Sequence, residues 1–313
     1  MDLSIILPQI IVLYILMVIG MIVNRVGVIN DSVVSGITKI ILYVTIPATI
    51  FASLKDSAAI TNQDAFEMAG LSLLTYALVF VLSFVVLVIL FVHKPERPFY
   101  QYICIFGNIG FIGYPMVTAV IGSQGVLLAA IANIFYSVLL YTAGIYLMSQ
   151  NGENDSKVAF QWKRMVNPGM IAAILCVLMF VFKIPLPGVL SETADLLGGA
   201  TTPLAMLVVG ASVNKIDFKS VIKNYRIIII SVVKMTAYPI GFAYLIKALG
   251  FTGLPAMVSV LLLGMPVATT SVITAMEFNR KNLAKASVAT VLSTIMLIVT
   301  IPVLVFAVSI VTG

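Results

Sequence analysis

Phe106-Gly107-Asn108-Ile109-Gly110-Phe111-Ile112-Gly113-Tyr114-Pro115 places three glycines, an asparagine and a proline within ten residues of an otherwise apolar run. Glycine costs about 1 kcal/mol and proline about 3 in a helix interior, so a continuous helix is disfavoured here. A second stretch, Gly264-Met265-Pro266-Val267-Ala268-Thr269-Thr270-Ser271, combines the same breakers with three hydroxyls. The prolines of the two stretches belong to a longer series. Pro8, Pro47 and Pro115 are matched by Pro168, Pro203 and Pro266, at offsets of 160, 156 and 151 residues. A chain duplicated at that period, with helix breakers at equivalent places, has the plan of a membrane carrier built from two repeats.

The bulk composition agrees. Of 313 residues, 61% are hydrophobic and only 10% charged, and the mean hydropathy is +1.14; a soluble domain carries roughly 25% charged residues. At about 20 residues per crossing, the chain accommodates ten helices with short loops and no separate globular domain. The fold class predicted is an all-α integral membrane protein. Its spans fall at residues 5–24, 33–54, 66–92, 100–121, 125–148, 168–183, 196–213, 227–248, 254–276 and 285–311. The one substantial polar stretch, 149–167, contains the sole tryptophan, Trp162, and divides the chain into repeat one (1–148, spans 1–5), a linker (149–167) and repeat two (168–313, spans 6–10). Five is odd, so the second repeat enters the membrane from the opposite face and the repeats are inverted. The first apolar segment follows Asp2 without Lys or Arg and lacks a small-residue cleavage site, so it reads as a span, not a cleaved signal.

Basic residues set the orientation. Loops after odd spans, with adjacent turns, hold fourteen: Arg25, Lys39, Lys94, Arg97, Lys157, Lys163, Arg164, Lys215, Lys219, Lys223, Arg226, Arg280, Lys281 and Lys285. Loops after even spans hold Lys55, Lys183 and Lys247. The odd loops and the linker are therefore expected in the cytoplasm of an inner-membrane protein, with both termini outside. The net charge of +6 follows from this orientation, with no nucleic acid as partner. Cys104 and Cys176 stand alone in apolar segments and read as packing residues, and no metal site or cofactor is expected.

Two broken helices facing each other near the midplane would offer backbone groups and half-helix N-termini to an anion without any charged side chain. The candidate binding residues are Asn108, Gly110, Gly113, Tyr114, Pro115, Pro266, Thr269, Thr270 and Ser271. Thr45 and Pro47 in the second span and Thr202 and Pro203 in the seventh are added where kinks stand beside hydroxyls. Lys234, about 12 Å into the eighth span at 1.5 Å per residue, is the sharpest charged candidate. It would attract an anion, hold a broken helix end, or snorkel to the headgroups. Glu67, His93 and Glu277 read as interfacial groups, with Glu67 the one retained for charge balance or coupling. No span carries paired carboxylates or a histidine cluster, and no catalytic residues are assigned because no nucleophile and base pair lies at membrane depth.

Gly20-Met21-Ile22-Val23-Asn24-Arg25-Val26-Gly27, Ile46-Pro47, Asn108 to Pro115, Asn167-Pro168, Thr202 to Gly210, and Leu292-Ser293-Thr294 with Thr300-Ile301-Pro302 occur in an order that resembles the auxin efflux carrier family, which includes bacterial organic-acid permeases and plant PIN proteins. The resemblance covers essentially the whole chain. It implies ten helices in two inverted five-helix repeats, helices 4 and 9 crossing at their prolines, and elevator-like motion of spans 3–5 and 8–10 against a scaffold of spans 1, 2, 6 and 7. It also implies a small organic anion, a mono- or dicarboxylate, as substrate and a homodimer in the lipid bilayer. The expected function is thus secondary transport of such anions by alternating access. The alternatives are a ligand sensor of carrier shape, or a cation-coupled exchanger on a similar inverted-repeat fold.

Overall fold

The computed structural model describes residues 3–151, 166–214 and 224–312. Trp162 and most of the linker 149–167, together with Lys157, Lys163, Arg164, Lys215, Lys219 and Lys223, lie outside the described residues. The described chain is helical: α1 (Leu3–Arg25), α2 (Asp31–Ala52), α3 (Asn62–Ile89), α4 (Arg97–Ile105), α5 (Ile109–Val120), α6 (Gln124–Ser149), α7 (Pro168–Val181), α8 (Gly188–Val213), α9 (Tyr225–Ala248), α10 (Leu254–Leu263), α11 (Thr270–Phe278) and α12 (Arg280–Ile310). Seven of these, α1, α2, α3, α6, α8, α9 and α12, are long and apolar enough to cross a membrane, and α5, α7 and α10 are shorter apolar helices. The protein is a multi-pass α-helical membrane protein. Only helices satisfy every backbone group within a single segment, as hydrocarbon requires.

The helices are apolar on both faces. On α1, Ile10, Leu13 and Met17 are buried while Ile11, Ile15, Val18 and Ile22 are exposed. With no hydrophobic drive between such helices in lipid, association rests on close packing and interhelical hydrogen bonds. Both appear where α8 meets its neighbours. A methyl group at Gly210 would overlap the Met17 carbonyl oxygen, so only glycine lets the backbones of α1 and α8 approach this closely. Against α2, Thr49 Oγ1 and Thr201 Oγ1 are 2.7 Å apart, and Cys176 Sγ of α7 donates to Ile50 O at 3.2 Å.

Three of the prolines sit just beyond wide π-type turns. Ile41–Thr45 precedes Pro47, Ile109–Gly113 precedes Pro115, and Val233–Ala237 precedes Pro239. The proline ring clashes with the carbonyl four residues back and provides no N–H, and a π-turn relieves that clash without ending the helix.

The two breaker-rich stretches do interrupt their helices. α4 stops at Ile105, and Phe106 is extended (φ −88°, ψ 112°) before α5 begins at Ile109. α10 stops at Leu263, and α11 begins at Thr270. Gly107 and Val267 form an antiparallel bridge, in which Asn108 N donates to Pro266 O at 2.7 Å and Ala268 N to Phe106 O at 3.2 Å. A Cβ at Gly107 would come to 3.2 Å of Met265 O, which explains the glycine. Ser293 Oγ of α12 accepts from Val267 N at 2.9 Å. The expectation that the breaks leave these backbone groups open to a ligand is therefore corrected: the two breaks largely satisfy each other.

One boundary also moves. α8 begins at Gly188, eight residues before the expected start at 196, because the helix opens with Ser191, Glu192 and Asp195, which a hydropathy reading excludes. Asp195 pairs with Lys55 beyond the end of α2 at 2.8 Å. This hydrogen bond, and then the carboxylate charge, push the Lys55 ammonium above its ordinary range, so the lysine side of the pair stays charged through neutral pH and on into alkali. At the opposite end, Glu96 holds both Lys285 of α12 (2.6 Å) and Arg226 of α9 (3.4 Å).

Candidate functional site

A cavity of about 210 Å³ lies between the crossing and helices α2 and α8. The crossing contributes Asn108, Phe111, Ile112 and Thr269; α12 contributes Thr290, Val291 and Thr294. The facing wall is Val34, Thr38 and Leu42 of α2 with Val208, Val209 and Ser212 of α8. No charged side chain lines it.

Most of its hydroxyl protons are already committed. Thr38 Oγ1 donates to Val34 O at 2.7 Å, Ser212 Oγ to Val208 O at 2.9 Å, and Thr294 Oγ1 to Thr290 O at 2.7 Å. Thr290 Oγ1 is 2.9 Å from Ser271 Oγ. Asn108 differs. It is buried, at 6% exposure, and its Oδ1 caps α5 by accepting from Phe111 N at 3.2 Å. Its Nδ2 is buried without a partner. An amide nitrogen carries two donors, and leaving them unmet in a buried place costs about 1–3 kcal/mol. Asn108, on the cavity wall, therefore holds a buried unmet donor beside largely apolar side chains, an arrangement suited to a small anion or carbonyl with a short apolar body.

The structure brings together Asn108 and Thr269 from the expected set and places the others around them. Ser271 stands behind the wall, bonded to Thr290. Tyr114, Gly113 and Pro115 are buried in the crossing, as is Pro266, whose carbonyl accepts from Asn108 N; Gly110 is partly exposed and Thr270 begins α11. Thr45 and Pro47 of α2 and Thr202 and Pro203 of α8 lie outside the cavity. Thr38, Ser212, Thr290 and Thr294 are not among the binding residues expected from the sequence. The recurrence of Thr290 and Thr294 four residues apart in an apolar helix is the signal that marks one polar face on α12.

Lys234 does not snorkel. It is 1% exposed, and its Nζ donates to Cys104 O at 2.9 Å and Ile105 O at 3.3 Å, the final carbonyls of α4. Of the roles open to it, holding a broken helix end is the one the structure displays. Glu67, in the second turn of α3, is off the cavity, and His93 and Glu277 are exposed at helix ends. A wider depression of about 610 Å³ lies near the Lys55–Asp195 pair, between the ends of α2 and α7 and the start of α8, away from the crossing. Among the described residues there is no group of His, Cys, Asp and Glu able to hold a metal.

A bundle of apolar helices around paired breaks, with a largely apolar pocket that carries a few hydroxyls and one amide, defines a membrane protein built to handle a small molecule. A family model described as membrane transport protein matches residues 5–305, and the chain belongs to that family, the auxin efflux carrier family. An uncharacterized transporter of Methanothermobacter thermautotrophicus is 24% identical over 289 residues, covering 92% of this chain and 93% of that one. An uncharacterized transporter of Methanocaldococcus jannaschii is 24% identical over 216 residues, covering 66% and 68% respectively.

Proposed function

We propose that this membrane transporter is a secondary carrier of small organic anions, working by alternating access with an elevator-like motion. The observation that carries the reading is Asn108, whose buried Nδ2 is unpartnered beside a cavity without charge. A carboxylate supplies the acceptor that the amide lacks, and hydrogen bonds to charged groups are worth about 1.5–3 kcal/mol. With only one such amide, the cavity suits a monocarboxylate better than a dicarboxylate.

Counting α4 with α5 and α10 with α11 as single interrupted crossings gives ten spans, five on either side of the linker. The cavity supports a moving part because its two walls belong to different groups of spans. Asn108, Thr269 and Thr290 come from spans 4, 9 and 10, and Thr38 and Ser212 come from spans 2 and 7. Displacement of the first group past the second would carry a bound anion across, as rigid-body motion of one helix bundle against another does in carriers of this type.

The direct test is substrate-induced charge movement in proteoliposomes, with lactate, short-chain monocarboxylates, malonate, malate and amino acids at two pH values. A saturable current with a monocarboxylate is expected; folded protein silent to every anion overturns the reading. Orientation has its own test. Because Cys104 and Cys176 are buried, an impermeant thiol reagent gives little background. Ser57→Cys should label on intact cells and Lys281→Cys only after permeabilisation; the reverse pattern inverts the proposed topology.

A further inference from the structure

We propose that the Lys234 ammonium is the resident cation of the crossing, occupying the place at a broken helix end where a carrier of similar plan would bind a coupling metal ion, so that this protein binds no Na⁺ there. The inference goes beyond the anion reading and is tested without a substrate.

The carbonyls of the last turn of a helix have no intrahelical donors and carry the negative end of the helix dipole. For α4 this end is buried at the crossing, where water cannot serve it. In carriers with interrupted helices, unwound carbonyls and half-helix C-termini are ligands for Na⁺. Here the two carbonyl oxygens, of Cys104 and Ile105, converge on Lys234 Nζ at 2.9 and 3.3 Å. The ammonium thus supplies both the donors and the positive charge that a metal ion would provide. It has no carboxylate to balance it: the ion pairs among the described residues join Lys55 to Asp195 and Glu96 to Arg226 and Lys285, and none includes Lys234. The titratable groups around it are the Cys104 thiol and the Tyr238 phenol.

A nearby pinhole strengthens the argument. It has about 20 Å³ of space, roughly the room of one water or small ion. Ser72, Thr75 and Ser259 line it, against Ile105 and Gly107. The three hydroxyls donate to Met68 O (2.7 Å), Leu71 O (2.7 Å) and Met68 Sδ (3.6 Å), so they offer lone pairs inward. Such a lining would suit a cation, yet Ile105, which forms part of it, already bears the lysine charge. A second cation would enter against that charge with no carboxylate to offset it, which is unfavourable at low dielectric.

The test uses purified full-length protein in detergent, with unfolding followed by a fluorogenic thiol reagent reporting exposure of Cys104 and Cys176. Wild-type Tm should be the same in NaCl and in choline chloride at equal ionic strength. Lys234→Ala should have a lower Tm in choline chloride, rising saturably by about 3 °C or more with Na⁺ or methylammonium, which fill the vacated place. Lys234→Met, which fills it with an apolar chain, should be destabilised without any cation response. A saturable Na⁺-dependent rise in wild-type Tm, or equal responses of the Ala and Met variants, overturns the inference. The wild-type titration needs no variant and decides on its own if Lys234→Ala is not recovered folded.

Discussion

Asn108→Ala is expected to lower the kcat/KM of anion uptake about 10- to 150-fold, the factor that corresponds to about 1.5–3 kcal/mol for one hydrogen bond to a charged group. Asn108 does two separable things. Its Oδ1 caps α5 through Phe111 N, and its Nδ2 is the unmet donor at the cavity. Alanine removes both, and loss of a cap alone costs about 1 kcal/mol of stability. Asn108→Ser separates them: a serine hydroxyl is a good cap but is too short to replace the amide donors. Uptake should fall in both variants, while Tm should fall only in the alanine variant. Uptake at the wild-type rate in either would take the amide out of the binding site.

The second large effect is structural. Gly210→Val should lower Tm by roughly 6–12 °C, corresponding to about 3 kcal/mol or more of overpacking. The atom in the way is the Met17 carbonyl oxygen on a helix backbone, which has no rotamer into which to retreat. The facing position behaves alike, since a methyl at Gly20 would overlap the Leu207 carbonyl. Relief requires α1 to separate from α8, and that separation removes support from Val208, Val209 and Ser212, one wall of the cavity. Gly70→Ala is the control. A Cβ there meets nothing within 4 Å, so Tm should hold or rise slightly through better helix propensity. Equal losses in the two variants would mean that glycine acts through backbone flexibility and not through the α1 to α8 contact.

Much of this protein is legible in its residues because lipid leaves the chain few options. Long apolar runs must be helices, and clusters of glycine and proline weaken them. Gly107 and Asn108 therefore mark the first break, and Gly264 and Pro266 the second, whereas Pro115 is carried inside α5 by its π-turn; Lys234 stands out for the cost of burying its charge. What sequence could not provide is the direction in which each side chain faces. In a soluble helix the apolar stripe marks the inward face, but α1 and α3 are apolar on nearly every side, so burial leaves almost no periodic trace. Thr38, Ser212 and Thr294 meet at one cavity only because helices distant in the chain are brought side by side.

The residues alone determined a membrane-embedded helical chain, interrupted twice, with its chemistry near the interruptions. Tertiary structure decided that the two breaks bond to each other through Gly107 and Val267, that Lys234 closes the end of α4, and that Asn108 Nδ2 is among the buried groups left without a partner. Each of those outcomes depends on which buried polar group finds a partner on another helix. Local propensity is silent about this, because a hydrogen bond across a hundred residues or more is fixed by packing.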